Sequence, residues 1–217
     1  MIQLFLGMKN MIHYYALLFK SPVRCMDALA QDQRPVRLGF MLMLFPLVGY
    51  TLMYIFLTIA HGAPSVFTPW LNISKEAYYA ANRWLLAPSL LLAWIGASGL
   101  MQILGGAVGG RGSFEQTLLV TAFSISVAMA FGLLHDLPMS FCSAVGIIDA
   151  GQHEKDMNSP TIWRTLLWSF YSLYGLAFLF LFPLGIHRVH RSGLAASICI
   201  GLAGFILFQT VFLVFNR

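Results

Sequence analysis

The segment His187-Arg188-Val189-His190 sets two imidazoles at i and i+3, on one face of a helix, a spacing a divalent metal can use. Arg188 and Arg191 beside them disfavour a cation, so the segment reads as a basic joint that sets membrane orientation. A second cluster, His135-Asp136 with His153-Glu154-x-Asp156, offers groups that pass protons or bind metal. A solvated loop beside a helix end accounts for the same residues. His135 and Asp136 are the candidate outer polar site. Arg111 precedes Gly112 and Ser113, and Ser113 is suited to capping a helix start, where N–H groups point outward. Arg111, Ser113, Arg188 and Arg191 are therefore candidates for contact with anionic lipid headgroups.

Other chemistry has no foundation in the pattern. The long apolar runs contain no His pair for bis-histidine haem and no carboxylate for a proton relay. There is no H-E-x-x-H, G-x-S-x-G or Walker A motif, and no local pattern joins a Ser to a His as nucleophile and base. Cys25, Cys142 and Cys199 lack metal-site spacing and are odd in number, so neither a metal site nor a disulfide framework is expected. Cys25, beside the membrane, is a candidate for lipidation. Neither cofactor nor enzymatic activity is expected.

The elements that position these residues are mostly apolar. Runs over 38–60, 84–110, 116–134, 165–186 and 193–216 hold no Asp, Glu, Lys, Arg or His. About 18 or more such residues suffice to cross the hydrocarbon core as a helix. Of the 217 residues, 59% are hydrophobic and only 10% charged, against roughly a quarter charged in soluble domains. The net charge of +5 flanks the runs, so topology rather than nucleic acid explains it. The expected fold is all-α: a polytopic membrane protein of five transmembrane helices over 37–217, preceded within 1–36 by short amphipathic interfacial helices.

In 2–20, Phe5, Met8, Ile12, Tyr15 and Phe19 recur at helical steps and share one face, which suits the headgroup layer or packing on the bundle. No cleavable signal is expected there. Ser21-Pro22 restarts a helix in which Arg24 and Asp27 can pair, and Pro35 is expected to end it. The loop after the first span carries the aromatic pairs Pro69-Trp70 and Tyr78-Tyr79 and the sequon Asn72-Ile73-Ser74. The second span ends in Gly105, Gly106, Gly109 and Gly110, two overlapping GxxxG steps that would let another helix approach closely. His135-Asp136-Leu137-Pro138 is expected to end the third span, with 139–148, too short to cross, either continuing the helix beyond the membrane or lying in its surface, and His187 to Arg191 to form a turn. Lys9, Lys20, Arg24, Arg34, Arg37, Arg111, Arg188 and Arg191 fall on one side, and Lys75, Arg83, Lys155, Arg164 and Arg217 on the other. The positive-inside rule then puts the N-terminus in the cytoplasm and the C-terminus outside a cytoplasmic (inner) membrane.

Several of these stretches occur in a recognisable order: Phe19-Lys20-Ser21-Pro22 to Leu29, then a span; a span ending in Gly109-Gly110-Arg111-Gly112-Ser113-Phe114-Glu115-Gln116-Thr117; a span with Trp168; a basic turn; and Gly193-Leu194-Ala195-Ala196. Over about 15–215 the chain resembles the YIP family, five-span Ypt/Rab-interacting membrane proteins and their bacterial relatives. Eukaryotic members carry a long polar cytosolic region and bind prenylated small GTPases. This chain has no such region and no Asp-Leu-Tyr-Gly-Pro motif, so it resembles a prokaryotic-type member. For those, the resemblance implies a fold and a membrane rather than GTPase binding.

The expected function is a non-enzymatic scaffold or accessory subunit of a membrane complex, organising lipid or partner helices. Its partners would be membrane lipids and another integral membrane protein or a second copy, with no nucleic acid. Prolines and glycines in the spans support an alternative, a passive carrier or channel for lipid or a small apolar solute. An enzyme using the outer His/Asp/Glu loop is the third reading.

Overall fold

The computed structural model describes residues 2–62, 71 and 73–216, with no description of the side chains of 2–10, 154 and 216. Helices α1 (Ile2–Lys20) and α2 (Pro22–Ala30) precede α3 (Pro35–Ile59), α4 (Tyr78–Ala107) and α5 (Phe114–Ala144). A short α6 (Ala150–Asn158) leads into α7 (Ile162–His190) and α8 (Leu194–Asn216). Helices α3, α4, α5, α7 and α8 are long and apolar enough to cross a membrane. The chain is an all-α integral membrane protein.

Several boundaries differ from the sequence expectation. Pro35 opens α3 instead of closing α2: Arg34 caps the helix, its carbonyl accepting from Leu38 N at 3.0 Å. A first-turn N–H has no helical partner, so proline costs nothing there. Helix α5 does not end at His135-Asp136-Leu137-Pro138 but runs through Pro138 to Ala144. Proline removes one hydrogen bond, and packing such as Phe141 on Phe56, ring centroids 5.4 Å apart, carries the helix past it. Helix α7 likewise continues through His187 and His190, so these residues form its last turn rather than a loop. Basic side chains suit that position, where unpaired carbonyls make the helix end negative.

The chain divides into two compact units, to each of which the five long helices contribute a part. Unit one comprises Met1–Leu44, Trp94–Ser126 and Ala177–Phe208. Its core is α5 (Leu119, Ala122, Phe123) against Met26 and Leu29 of α2, Trp94 of α4, and Phe178 and Phe182 of α7. Apolar burial drives little helix association inside lipid, so hydrogen bonds and close fit matter more. Trp94 Nε1 donates to Leu118 O at 3.0 Å, and its ring meets Phe40 edge-on. Thr121 and Ser124 donate to carbonyls one turn back, so those buried hydroxyls are satisfied within α5.

Helix α1 turns Tyr14 and Leu18 inward, while Ile12 and Phe19 of the expected apolar face stand 67% and 82% exposed. Tyr15 of that face does pack, bonding Ser126 and resting on Phe123. Phe5 and Met8 lie outside the described side chains.

Unit two comprises Phe45–Ala93, Val127–Leu176 and Gln209–Arg217. Its core is α5 (Ala128, Met129, Leu133) with Tyr50, Met53 and Tyr54 of α3, Leu86 and Leu90 of α4, and Met157 of α6. Pro69-Trp70 and Asn72 of the sequon fall outside the described residues.

Candidate functional site

In unit one the glycines at the end of α4 form a helix terminator rather than a packing ridge. Gly109 has φ +82, Gly110 N donates to Gly105 O at 2.9 Å, and Gly109 N donates to Gly106 O at 3.0 Å. This pair of bonds is a Schellman motif, in which a left-handed residue lets the chain fold back on its last carbonyls. The expected GxxxG face over Gly105, Gly106, Gly109 and Gly110 is therefore absent, because α4 ends at Ala107 and the two pairs do not stack on one helix. A Cβ at Gly106 would meet nothing within 4 Å, whereas one at Gly105 would lie 2.7 Å from His190 Cε1. Gly105 and Gly110 both make room for the His190 ring.

His190 is 1% exposed, with Nε2 3.0 Å from Thr117 Oγ1. Thr117 donates to Gln102 Oε1 at 2.6 Å, and Gln102 Nε2 donates to Gly112 O at 2.8 Å. With the Thr117 proton so used, His190 carries its proton on Nε2, and the buried Nδ1 has no partner. His187 takes a separate path, with Nδ1 2.7 Å from Ser192 O. The two imidazoles thus serve different contacts. Among the described residues no group of three or more His, Cys, Asp or Glu could hold a metal ion.

The expected lipid-facing residues divide. Arg188 forms a two-point pair with Asp27, at 2.5 Å and 2.8 Å, so Asp27 pairs there rather than with Arg24. Its guanidinium is committed to holding α2 on α7. Arg111 and Arg191 remain exposed. Ser113 and Gln116 exchange bonds as a capping box at the start of α5, N–H to side chain at 2.9 Å and 3.3 Å. The Gln116 amide also reaches Ala30 O, at 2.8 Å, fixing the end of α2. Cys25, expected beside the membrane, is fully enclosed, its Sγ donating to Tyr14 O at 3.3 Å, and burial holds the thiol up at about 12.

Unit two gathers a polar chain. His135 Nδ1 lies 2.9 Å from Asp136 Oδ1, and Tyr171 OH donates to Asp136 Oδ2 at 2.9 Å. The His135 ring, 7% exposed, stacks on His153 of α6 with centroids 6.3 Å apart, and its buried Nε2 has no partner. Tyr174 and Gln209 bond each other. Burial first, then His135, lowers the His153 pKa from its ordinary 6.5. Charge marks His135, Asp136 and His153 in the sequence; Tyr171 and Tyr174 stand out there only as aromatic residues of the fourth run, and Gln209, neutral within the fifth, not at all. Tyrosine at two positions three apart on the α7 face was the available signal.

One face of the first half of α7 is uncovered. Trp163, Trp168, Leu173 and Leu176 are 40%, 53%, 43% and 60% exposed. A groove of about 450 Å³ follows one face, lined by Pro160, Thr161, Arg164, Thr165, Trp168, Ser169 and Ser172. A Cβ at Gly175, one step further along, would meet nothing within 4 Å.

Fold and site define an integral membrane protein whose polar groups serve helix ends, interhelical bonds and one hydroxyl-lined face. Comparison with protein-family models, characterised proteins and solved structures finds no match.

Proposed function

We propose that the chain is a non-enzymatic integral membrane scaffold or accessory subunit, YIP-like in architecture, that seats a transmembrane helix of a neighbouring subunit along the first half of α7. The observation that carries this reading is the row Thr165, Ser169, Ser172 and Gly175 on one face of a spanning helix, with Thr161 just ahead of its first turn. Small and hydroxylated residues let helix backbones approach closely, and close packing is what holds helices together in lipid. Ser169 and Thr165 bond their own backbone at 2.8 Å and 3.2 Å, so the face tolerates lipid until a partner covers it. The inner membrane with the N-terminus in the cytoplasm is the orientation the Lys/Arg distribution supports.

Ser169→Phe with Ser172→Phe fills the groove without touching the core of unit two. In gentle detergent, the parent chain elutes as an assembly with itself or a co-purifying membrane protein, and the double variant as a monomer. A monomeric parent with no co-purifying partner, or an assembly unchanged by the double variant, contradicts the reading.

A further inference from the structure

We infer that the α4–α5 and α7–α8 connectors together form a binding site for the phosphate of an anionic glycerophospholipid, held by Arg111 and Arg191. The inference is independent of the docking face on α7.

The two connectors have the same make-up. Arg111-Gly112-Ser113-Phe114 leads into α5 and Arg191-Ser192-Gly193-Leu194 leads into α8. In each, an exposed arginine stands three residues ahead of an exposed apolar residue that opens a helix, Phe114 at 38% and Leu194 at 65%. Such a pair matches the boundary where headgroup meets acyl chain. The connectors also touch. Arg111 N–H donates to His190 O at 3.4 Å, the residue just before Arg191, and a Cβ on Gly112 would run into Val189. The backbones that carry the two exposed arginines are therefore adjacent.

Arg191 has φ 53 and closes α7 by donating its N–H to His187 O at 3.0 Å. That backbone conformation favours glycine, and an arginine there carries a conformational cost. The side chain rather than the turn accounts for an arginine at this position. Arg188 is excluded from the site by its pairing with Asp27. Glu115 is exposed on the first turn of α5, so the two guanidiniums, rather than net charge, carry the attraction. Arginine suits the task because its planar fork bonds phosphate oxygens at two points.

The test is native mass spectrometry of the full chain released from phosphatidylcholine nanodiscs containing a minor share of phosphatidylglycerol. The parent chain retains phosphatidylglycerol, and Arg111→Gln and Arg191→Gly each lower retention about fivefold. Arg191→Gly suits the left-handed turn, so its melting temperature stays at or above the parent's and loss of lipid is distinct from loss of fold. Lys75→Gln, at an exposed lysine on another connector, leaves retention unchanged. Excess inorganic phosphate does not displace the lipid. Unchanged retention in both arginine variants, an equal loss in Lys75→Gln, or displacement by inorganic phosphate overturns the inference.

Discussion

Gly105 and Gly106 are chemically identical neighbours with opposite surroundings. Alanine at 105 would set a methyl against the His190 ring, while alanine at 106 would face open space. Gly105→Ala is expected to lower stability by about 1–3 kcal/mol through overpacking. Gly106→Ala is expected to be neutral or to gain up to about 1 kcal/mol from helix propensity. Thermal unfolding of both variants in detergent checks this. Equal losses would restore the GxxxG face. The sequence marked Gly105 and Gly106 alike, because the ring that sets Gly105 apart lies at position 190. Distance in sequence also hid the Asp27–Arg188 pair, whose members stand 161 residues apart. Local spacing favoured Arg24 instead.

Among the elements, α6 carries a histidine whose protonation weakens its docking. Its His153 stacks on His135, with Asp136 and Asp156 the charged groups nearby. The lowered pKa means the folded state prefers a neutral His153. Protonation is thus easier in the undocked state. The stabilisation that α6 gains from this contact is full above the ordinary value of 6.5 and declines as pH falls below it. The decline is complete once pH is below the folded-state value. Hydrogen exchange of Ala150–Asn158 should therefore speed up between neutral and mildly acidic pH relative to α5, and His153→Phe should remove that pH dependence. Exchange that is equally pH-dependent in His153→Phe would exclude the stack as its origin.

Helix existence was legible here because lipid tolerates only long uncharged runs around a satisfied backbone. Only some helix ends were: α3 stops at Ile59 beside the expected limit of 60, whereas α5 and α7 run past their expected stops because hydrogen bonds and packing set those ends. His61 at φ 51 and Gly62, whose N–H reaches Leu57 O at 2.9 Å, close α3 as Gly109 and Gly110 close α4. Pro138, read as a stop, sits inside α5 because packing outweighs one lost bond.

At the scale of the whole molecule, burial is uneven among the five spanning helices. The most apolar window of α5 is 83% buried, while those of α7 and α8 are 33% and 28% buried. Helix α5 is the most buried of the five, and the windows of α7 and α8 are mostly exposed. That asymmetry was hidden in the sequence, where all five runs look alike because lipid and protein interior ask for the same side chains. The hydroxyls of Thr121, Ser124 and Ser126 were the trace that marked α5 as the inner helix.

Helices α3, α4, α5, α7 and α8 are long and apolar enough to cross the bilayer once each, while α1 carries Lys9 and His13 in its length, so the two chain ends are expected on opposite sides. The direct measurement is the accessibility of small epitope tags at the two chain ends in intact cells and after permeabilisation. The account predicts a C-terminal tag reached from outside in intact cells and an N-terminal tag reached only after permeabilisation. Both tags in one compartment would contradict it.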